Sequence, residues 1–218
     1  MKKNEMENRS YAFDIAREVR AEQGESVLRG RAIVYNRATD IGGWFQEIIM
    51  PGALEGADMT DVPLLVNHND RMIPVARSRR NTPNSTLRLI PGDEGLDIEA
   101  RIDTERNMTA RELDSSVERG DLDGMSFRFS VADEKWENLE SDYPTRRILR
   151  FGKIGEVSAV TWPAYEATTL YARSKEALDS ARSALDNARQ QSVKSVDTDI
   201  ELEKAKFKFI STLGGMHK

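Results

Sequence analysis

The sequence predicts a mostly-β or α+β fold: an antiparallel, barrel-like sheet with flanking helices, then a helical, partly disordered C-terminal tail. Three observations carry this. Short runs rich in β-branched and aromatic residues recur up to Tyr165, punctuated by Gly, Pro, Asn and Asp clusters. In that region a single stretch, Thr104 to Arg119, has sustained helical spacing. Beyond about Arg173, glycine and β-branched residues thin out, and Ala, Asp, Arg, Ser and Lys take over. We therefore divide the chain into a disordered N-terminus over 1–8, a folded domain over 9–173 and a helical or flexible tail over 174–218.

Taken in order, Tyr11, Phe13 and Ile15 alternate as in a strand, while Ala16 to Ala21 is compatible with a helix. Ser26 to Tyr35 is a strand by content, with Gly30 as a candidate bulge. Asn36 to Gly43 reads as a loop, and Trp44 to Met50 as a strand stopped by Pro51-Gly52. Val62 to Val66 is a short buried strand that runs into the polar turn Asn67-His68-Asn69-Asp70. Leu87 to Ile90 and Leu96 to Ile102 flank Pro91-Gly92-Asp93-Glu94-Gly95, a hairpin signal. Asp103 or Thr104 can cap the helix that ends before Gly120. A strand from Gly124 to about Trp136 follows, then a polar loop. Arg147 to Phe151 and Ile154 to Trp162 read as two strands of a hairpin around Gly152-Lys153, with Gly155 as a further bulge candidate. In the tail, Ala177, Leu178, Ala181, Ala184, Leu185 and Ala188 share one thin helical face.

Composition removes several kinds of chemistry. There are no cysteines, so disulfides, thiol catalysis and cysteine-based zinc sites are excluded. The two histidines, His68 and His217, are too few for a histidine-rich metal site, and no cofactor is expected. The formal net charge of −5 argues against nucleic acid as the main partner, although Arg77, Arg79 and Arg80 form a local basic patch. No apolar run approaches the roughly 18 residues of a membrane span, and the N-terminus lacks a signal sequence; a cytoplasmic location is expected.

The stretch Gly124-Met125-Ser126-Phe127-Arg128-Phe129-Ser130-Val131 alternates cleanly. Met125, Phe127, Phe129 and Val131 face one way, and Ser126, Arg128 and Ser130 the other. Such a strand is either an ordinary polar-faced strand or a rigid mount for a nucleophilic Ser126. A serine hydroxyl needs an imidazole to take its proton, and the imidazole needs a third group to hold its tautomer. His68 is the practical base, because the other histidine is the penultimate residue. Glu156, at the head of Val157-Ser158-Ala159-Val160-Thr161-Trp162, is a candidate third member; Asp70 and Asp123 also lie near these motifs. On residue types alone the chain could be a serine hydrolase, or it could carry a satisfied loop histidine and two polar strand ends.

Leu65-Val66-Asn67-His68-Asn69, Gly124-Met125-Ser126-Phe127-Arg128-Phe129 and Gly155-Glu156-Val157-Ser158-Ala159-Val160-Thr161-Trp162-Pro163-Ala164-Tyr165 resemble, in order, the three signature blocks of the prohead proteases of tailed bacteriophages. The likeness spans roughly residues 26–172. Arg128 departs from it, standing where a glycine is expected. The resemblance implies a serine endopeptidase similar in fold to the herpesvirus assemblins. Ser126 would be the nucleophile, in preference to Ser130, His68 the general base and Glu156 the orienting carboxylate. Backbone amides would form the oxyanion hole, with the Arg77-to-Arg80 region as a candidate contributor. The implied partners are the major capsid protein with its scaffolding segment and the protease itself; a homodimer is left open, and neither membrane nor nucleic acid is required. The implied place is the assembling prohead in the host cytoplasm, with the protease absent from the mature virion. The tail would be a capsid-targeting or self-cleaved segment, or an extension without visible function. Two other readings stand beside this one. The first is a catalytically silent scaffold protein of the prohead on the same fold. The second, a serine esterase, is disfavoured because Gly124-Met125-Ser126-Phe127-Arg128 lacks the second glycine of a nucleophile elbow.

Overall fold

The computed structural model describes residues 6–12, 16–20, 25–161 and 179–192, together with 194, 201, 204 and 206. In chain order the elements are β1 (Glu7–Ala12), β2 (Ala16–Arg20), β3 (Glu25–Val34), β4 (Ala38–Ile41), β5 (Phe45–Ile49) and β6 (Asp61–Val66). They continue with β7 (Ala76–Arg79), β8 (Leu87–Gly92), β9 (Gly95–Asp103), α1 (Met108–Glu118), β10 (Gly124–Glu137) and β11 (Thr145–Val160).

These strands form two sheets rather than one antiparallel barrel. One has seven strands, with the path β1-β10-β11-β5-β4 and with β6 and β7 branching from β11. The other has four, in the order β2-β3-β9-β8, all antiparallel. The seven-stranded sheet is mixed because β11 is long enough to take two neighbours on one edge. Its first residues pair in parallel with β5, and Val157 to Ala159 pair in parallel with β6. Its other edge runs antiparallel to β10 along nearly its whole length. Residues Leu28, Ile33, Leu64, Leu96, Ile102, Leu113, Phe127 and Phe151 belong to the main core, which therefore draws on both sheets and on α1.

Several expectations are corrected. The hairpin expected at Gly152-Lys153 does not exist: β11 runs straight through. Both glycines are instead unpaired extra residues in the ladder, since Arg128 and Phe129 face Glu156 and Ile154, and Ser130 and Val131 face Lys153 and Phe151. Gly155 is thus a bulge as anticipated. Gly152 is needed for closeness, because a Cβ there would sit 3.0 Å from Ser130 Oγ. In β3 the register slips at Ala32, not at Gly30. The helix begins at Met108 with Asn107 as its cap, whose Oδ1 accepts from the Ala110 amide at 3.2 Å. Asp103 accepts from the amides of Glu105 and Arg106 in the turn before it, so its carboxylate closes that turn rather than the helix. Gly120, at φ 72°, ends the helix as read from sequence. The Asn36-to-Gly43 stretch contains β4, which pairs with β5 around Gly42 and Gly43.

The N-terminal expectation changes most. The strand β1 starts at Glu7, inside the stretch read as disordered, because Glu7 and Arg9 are buried among opposite charges. Residues 179–192 are helical, and Ala181 and Leu185 pack with Ile41 and Phe45 in a second small cluster beside Trp44, Trp136 and Leu139. Arg189 donates to the Leu139 and Ser141 carbonyls. This part of the tail is therefore held against the domain, not outside it. The end of the third signature block, from Trp162, lies outside the described residues. No described helix is long and apolar enough to cross a membrane.

Candidate active site

The strand β10 presents two faces as its alternation demands. Met125, Phe127 and Phe129 enter the core, where the rings of Phe127, Phe129 and Phe151 meet at 4.9 to 5.9 Å between centroids. The opposite face carries Ser126 and Arg128. Across the ladder, Ser126 is paired with Ser158 and Arg128 with Glu156. The four side chains form a two-by-two array on one face of β10 and β11.

His68 reaches this array from the end of β6. The Asn67 amide donates to the Ala159 carbonyl at 2.9 Å, which extends the β6–β11 pairing by one residue. The chain then turns through left-handed conformations at Asn67 (φ 51°) and His68 (φ 58°). Asn tolerates this region well. The turn is also clamped, since Asn67 Oδ1 accepts from the Thr161 amide at 3.0 Å. The result aims the imidazole at Glu156: His68 Nδ1 and Glu156 Oε1 are 2.6 Å apart, with the carboxylate side chain only 3% exposed. The Ser158 hydroxyl donates to Glu156 Oε2 and accepts from the His68 amide at 3.3 Å. Both carboxylate oxygens are thereby used, and one hydroxyl ties the strand to the turn.

With Nδ1 donating to a carboxylate, the other ring nitrogen is left with its lone pair and can accept a proton. An imidazole held in this way has the chemistry that a serine-dependent acyl transfer requires of its base. Among the described residues, neither the other candidate carboxylates nor Ser130 is hydrogen-bonded to the imidazole. Asp70 pairs with Arg128 at 3.7 Å, and Asp123 is exposed before β10. Ser130 is buried against Gly152, and its Oγ has no hydrogen-bond partner among the described residues. The Arg77-to-Arg80 region does not approach the array: Arg77 sits opposite Pro63 and Arg79 opposite Asp61, toward the far end of β6 from His68. The Arg77 guanidinium is held by Asp61, with both contacts at 2.6 Å. The region expected to contribute to the oxyanion hole thus lies toward the other end of β6.

A model of the caudovirus prohead serine protease family matches residues 10–181, which includes β10, β11 and the His68 turn. The chain belongs to that family. Among individual relatives of this family member, the prohead protease of Enterobacteria phage HK97 is 29% identical over 146 residues, covering 65% of this chain and 57% of the relative. The chain thus spans just over half the length of that curated relative. A solved capsid assembly protease of bacteriophage T4 aligns with a TM-score of 0.39 at 14% identity, over 73% of this chain and 100% of that one.

Sequence reasoning missed three parts of the array. Ser158 lies inside the third signature block, two residues from Glu156; that spacing on a strand puts both on one face. The Asn67–Thr161 clamp joins residues from two separate blocks, and no local pattern links them. The third part is the covering of Ser126. Its side chain is fully buried, and its hydroxyl donates to the Arg9 carbonyl of β1 at 2.7 Å.

Proposed function

We propose that this chain is a serine endopeptidase that acts within the assembling prohead, cleaving the scaffolding segment of the major capsid protein and its own chain. Membership of the family supports the reading, and the bond of His68 Nδ1 to Glu156 on the face shared with Ser126 carries it. Ser126 Oγ attacks the scissile carbonyl carbon and passes its proton to His68 Nε2, while Glu156 offsets the charge gained by the ring. The proton then goes to the departing amine, leaving an acyl-enzyme. Water, deprotonated by His68, releases the acid and regenerates Ser126. No metal or cofactor takes part in this reading. The tail beyond 174 would guide the protease to the scaffolding segment or be cut away. On this reading the protease is spent before the virion matures.

A second reading is a catalytically silent structural protein of the prohead. The full burial of Ser126 favours it. Co-expression with the cognate capsid protein, followed by mass spectrometry of the products, separates the two. The peptidase reading expects cleaved capsid protein and cleaved protease, both abolished by Ser126→Ala. Intact capsid protein with the unaltered chain leaves the silent reading, and cleavage that survives Ser126→Ala removes Ser126 as nucleophile.

A further inference from the structure

The His68 imidazole is aimed by a turn, and the chain enters that turn in an uncommon way. The strands β6 and β11 run parallel, with Leu64 opposite Val157, Leu65 opposite Ser158 and Val66 opposite Ala159. In a parallel ladder a bonded residue donates its amide to the neighbour before its partner and accepts at its carbonyl from the neighbour after it. Asn67 makes the first of these bonds with its main chain, to the Ala159 carbonyl at 2.9 Å. Its side chain makes the second. The Thr161 amide donates to Asn67 Oδ1 at 3.0 Å, and Asn67 Nδ2 donates to Thr161 Oγ1 at 3.1 Å. The carboxamide thus does what the Asn67 peptide carbonyl would do in a longer strand. The ladder keeps its last rung while the main chain is released from it.

The released chain turns at once. The Asn69 amide donates to the Val66 carbonyl at 3.1 Å, around Asn67 at φ 51° and His68 at φ 58°. Two central residues of positive φ have the sign pattern of a type I′ turn, which favours Asn followed by Gly. Histidine in the second place carries a backbone cost that glycine would not. Such a cost persists only where the surroundings over-determine the conformation. Here the surroundings are bonds to β11: the His68 amide donates to Ser158 Oγ at 3.3 Å, and Nδ1 lies 2.6 Å from Glu156 Oε1. We propose that Asn67 is a positioning residue for the candidate base. By completing the ladder with its side chain it fixes where the chain leaves the sheet, and so holds the His68 ring on Glu156. Asn67 and Thr161 are both exposed, so water can satisfy either once the other is gone. The clamp therefore acts on the aim of the ring rather than on the stability of the domain. Its effect on turnover rests on the peptidase reading; its effect on the ring does not.

The test compares Asn67→Gly with Asn67→Asp in the full chain. Glycine takes a positive φ freely but cannot reach Thr161, whereas aspartate keeps an oxygen for the Thr161 amide. The chain has two histidines, so His217→Gln leaves His68 as the one imidazole, and the proton on its Nδ1 is followed by NMR with nitrogen-labelled histidine. Exchange of that proton with water is expected to be at least about tenfold faster in Asn67→Gly than with Asn67 in place, and within about threefold in Asn67→Asp. On a peptide drawn from a mapped cleavage site, Asn67→Gly should lower kcat roughly tenfold to a hundredfold with KM within about twofold, and Asn67→Asp should recover most of the loss. Unchanged proton exchange in Asn67→Gly overturns the proposal, because positive φ alone would then hold the ring. Equal loss in both variants overturns it as well, since the acceptor oxygen would not matter. A thermal midpoint lowered by more than about 10 °C in Asn67→Gly, or failure of that variant to fold, makes the clamp a support of the domain and also defeats the proposal. Absence of a protected proton with Asn67 in place removes the His68–Glu156 bond and the proposal with it. Should no form cleave any peptide, the peptidase reading falls, and proton exchange still decides what Asn67 does for the ring.

Discussion

At the scale of single residues, the site depends on who holds whom. Glu156 has one oxygen on His68 and the other on Ser158. Glu156→Gln keeps the shape but lets the ring be held by a neutral group that can present its amide nitrogen instead. Turnover on a peptide drawn from a mapped cleavage site should fall roughly a hundredfold or more, as when a triad carboxylate is neutralised elsewhere. Ser158 touches no substrate in this scheme; it positions Glu156 and the His68 amide. Ser158→Ala should therefore lower kcat roughly tenfold to a hundredfold with KM and the thermal midpoint little changed, the pattern of a displaced catalytic group. A change in KM alone would show that Ser158 serves binding instead. Elimination singles out His68 as a candidate base, because the chain has one histidine away from its end; Ser126 is singled out only by the resemblance of its block to the family's. Ser158 was harder to single out, since its role is visible only once β6 is laid beside β11 and brings the His68 amide to its hydroxyl.

At the scale of elements, β10 and β11 form the frame. Period-two alternation gave β10 its two faces correctly, since Phe127 and Phe129 are fully buried and stacked while Arg128 is partly exposed. Phe127→Ala should cost about 3 to 5 kcal/mol, the usual range for emptying an aromatic site in a packed core, and denaturant unfolding would measure it. A loss under 1 kcal/mol would mean that the aromatic cluster can close over the gap. The length of β11 was not legible. Glycine-containing runs such as Gly152-Lys153 serve as turns or as bulges, and the choice is made by the partner strand. Here Gly152 lets β11 pass Ser130 at close range, and the ladder absorbs the extra residue. The sheet class was misread for a related reason. Parallel pairing of β11 with β5 and β6 joins segments distant in sequence, and nothing local marks it.

At the scale of the whole molecule, the described structure is two sheets sharing a core, with a charged strand closing one edge. The Glu7 carboxyl is pushed up by burial, but Arg146 and Arg9 outweigh this and hold it down at about 2 against an ordinary 4.5. A lowered carboxyl stabilises the folded form fully above the unfolded value and ceases to do so as pH falls through the folded one. The seating of β1 should therefore be constant above about pH 4.5 and weaken progressively toward pH 2, by up to a few kcal/mol. Hydrogen exchange of Glu7–Ala12 measured across that range checks this, and Glu7→Gln should flatten the profile. A profile that is already flat in the unaltered chain would contradict it. By itself the sequence determined the strand-rich class, the hairpin at Pro91 to Gly95, the two faces of β10 and the scarcity of histidine that leaves His68 as the practical candidate base. These follow from side-chain period, turn chemistry and elimination, all of which act over a few residues or over composition. Only the tertiary structure decided that Glu156, rather than Asp70 or Asp123, lies against the imidazole, and that β1 covers Ser126. Both depend on register between strands far apart in the chain, where the free energy comes from burial and charge pairing that no local stretch contains.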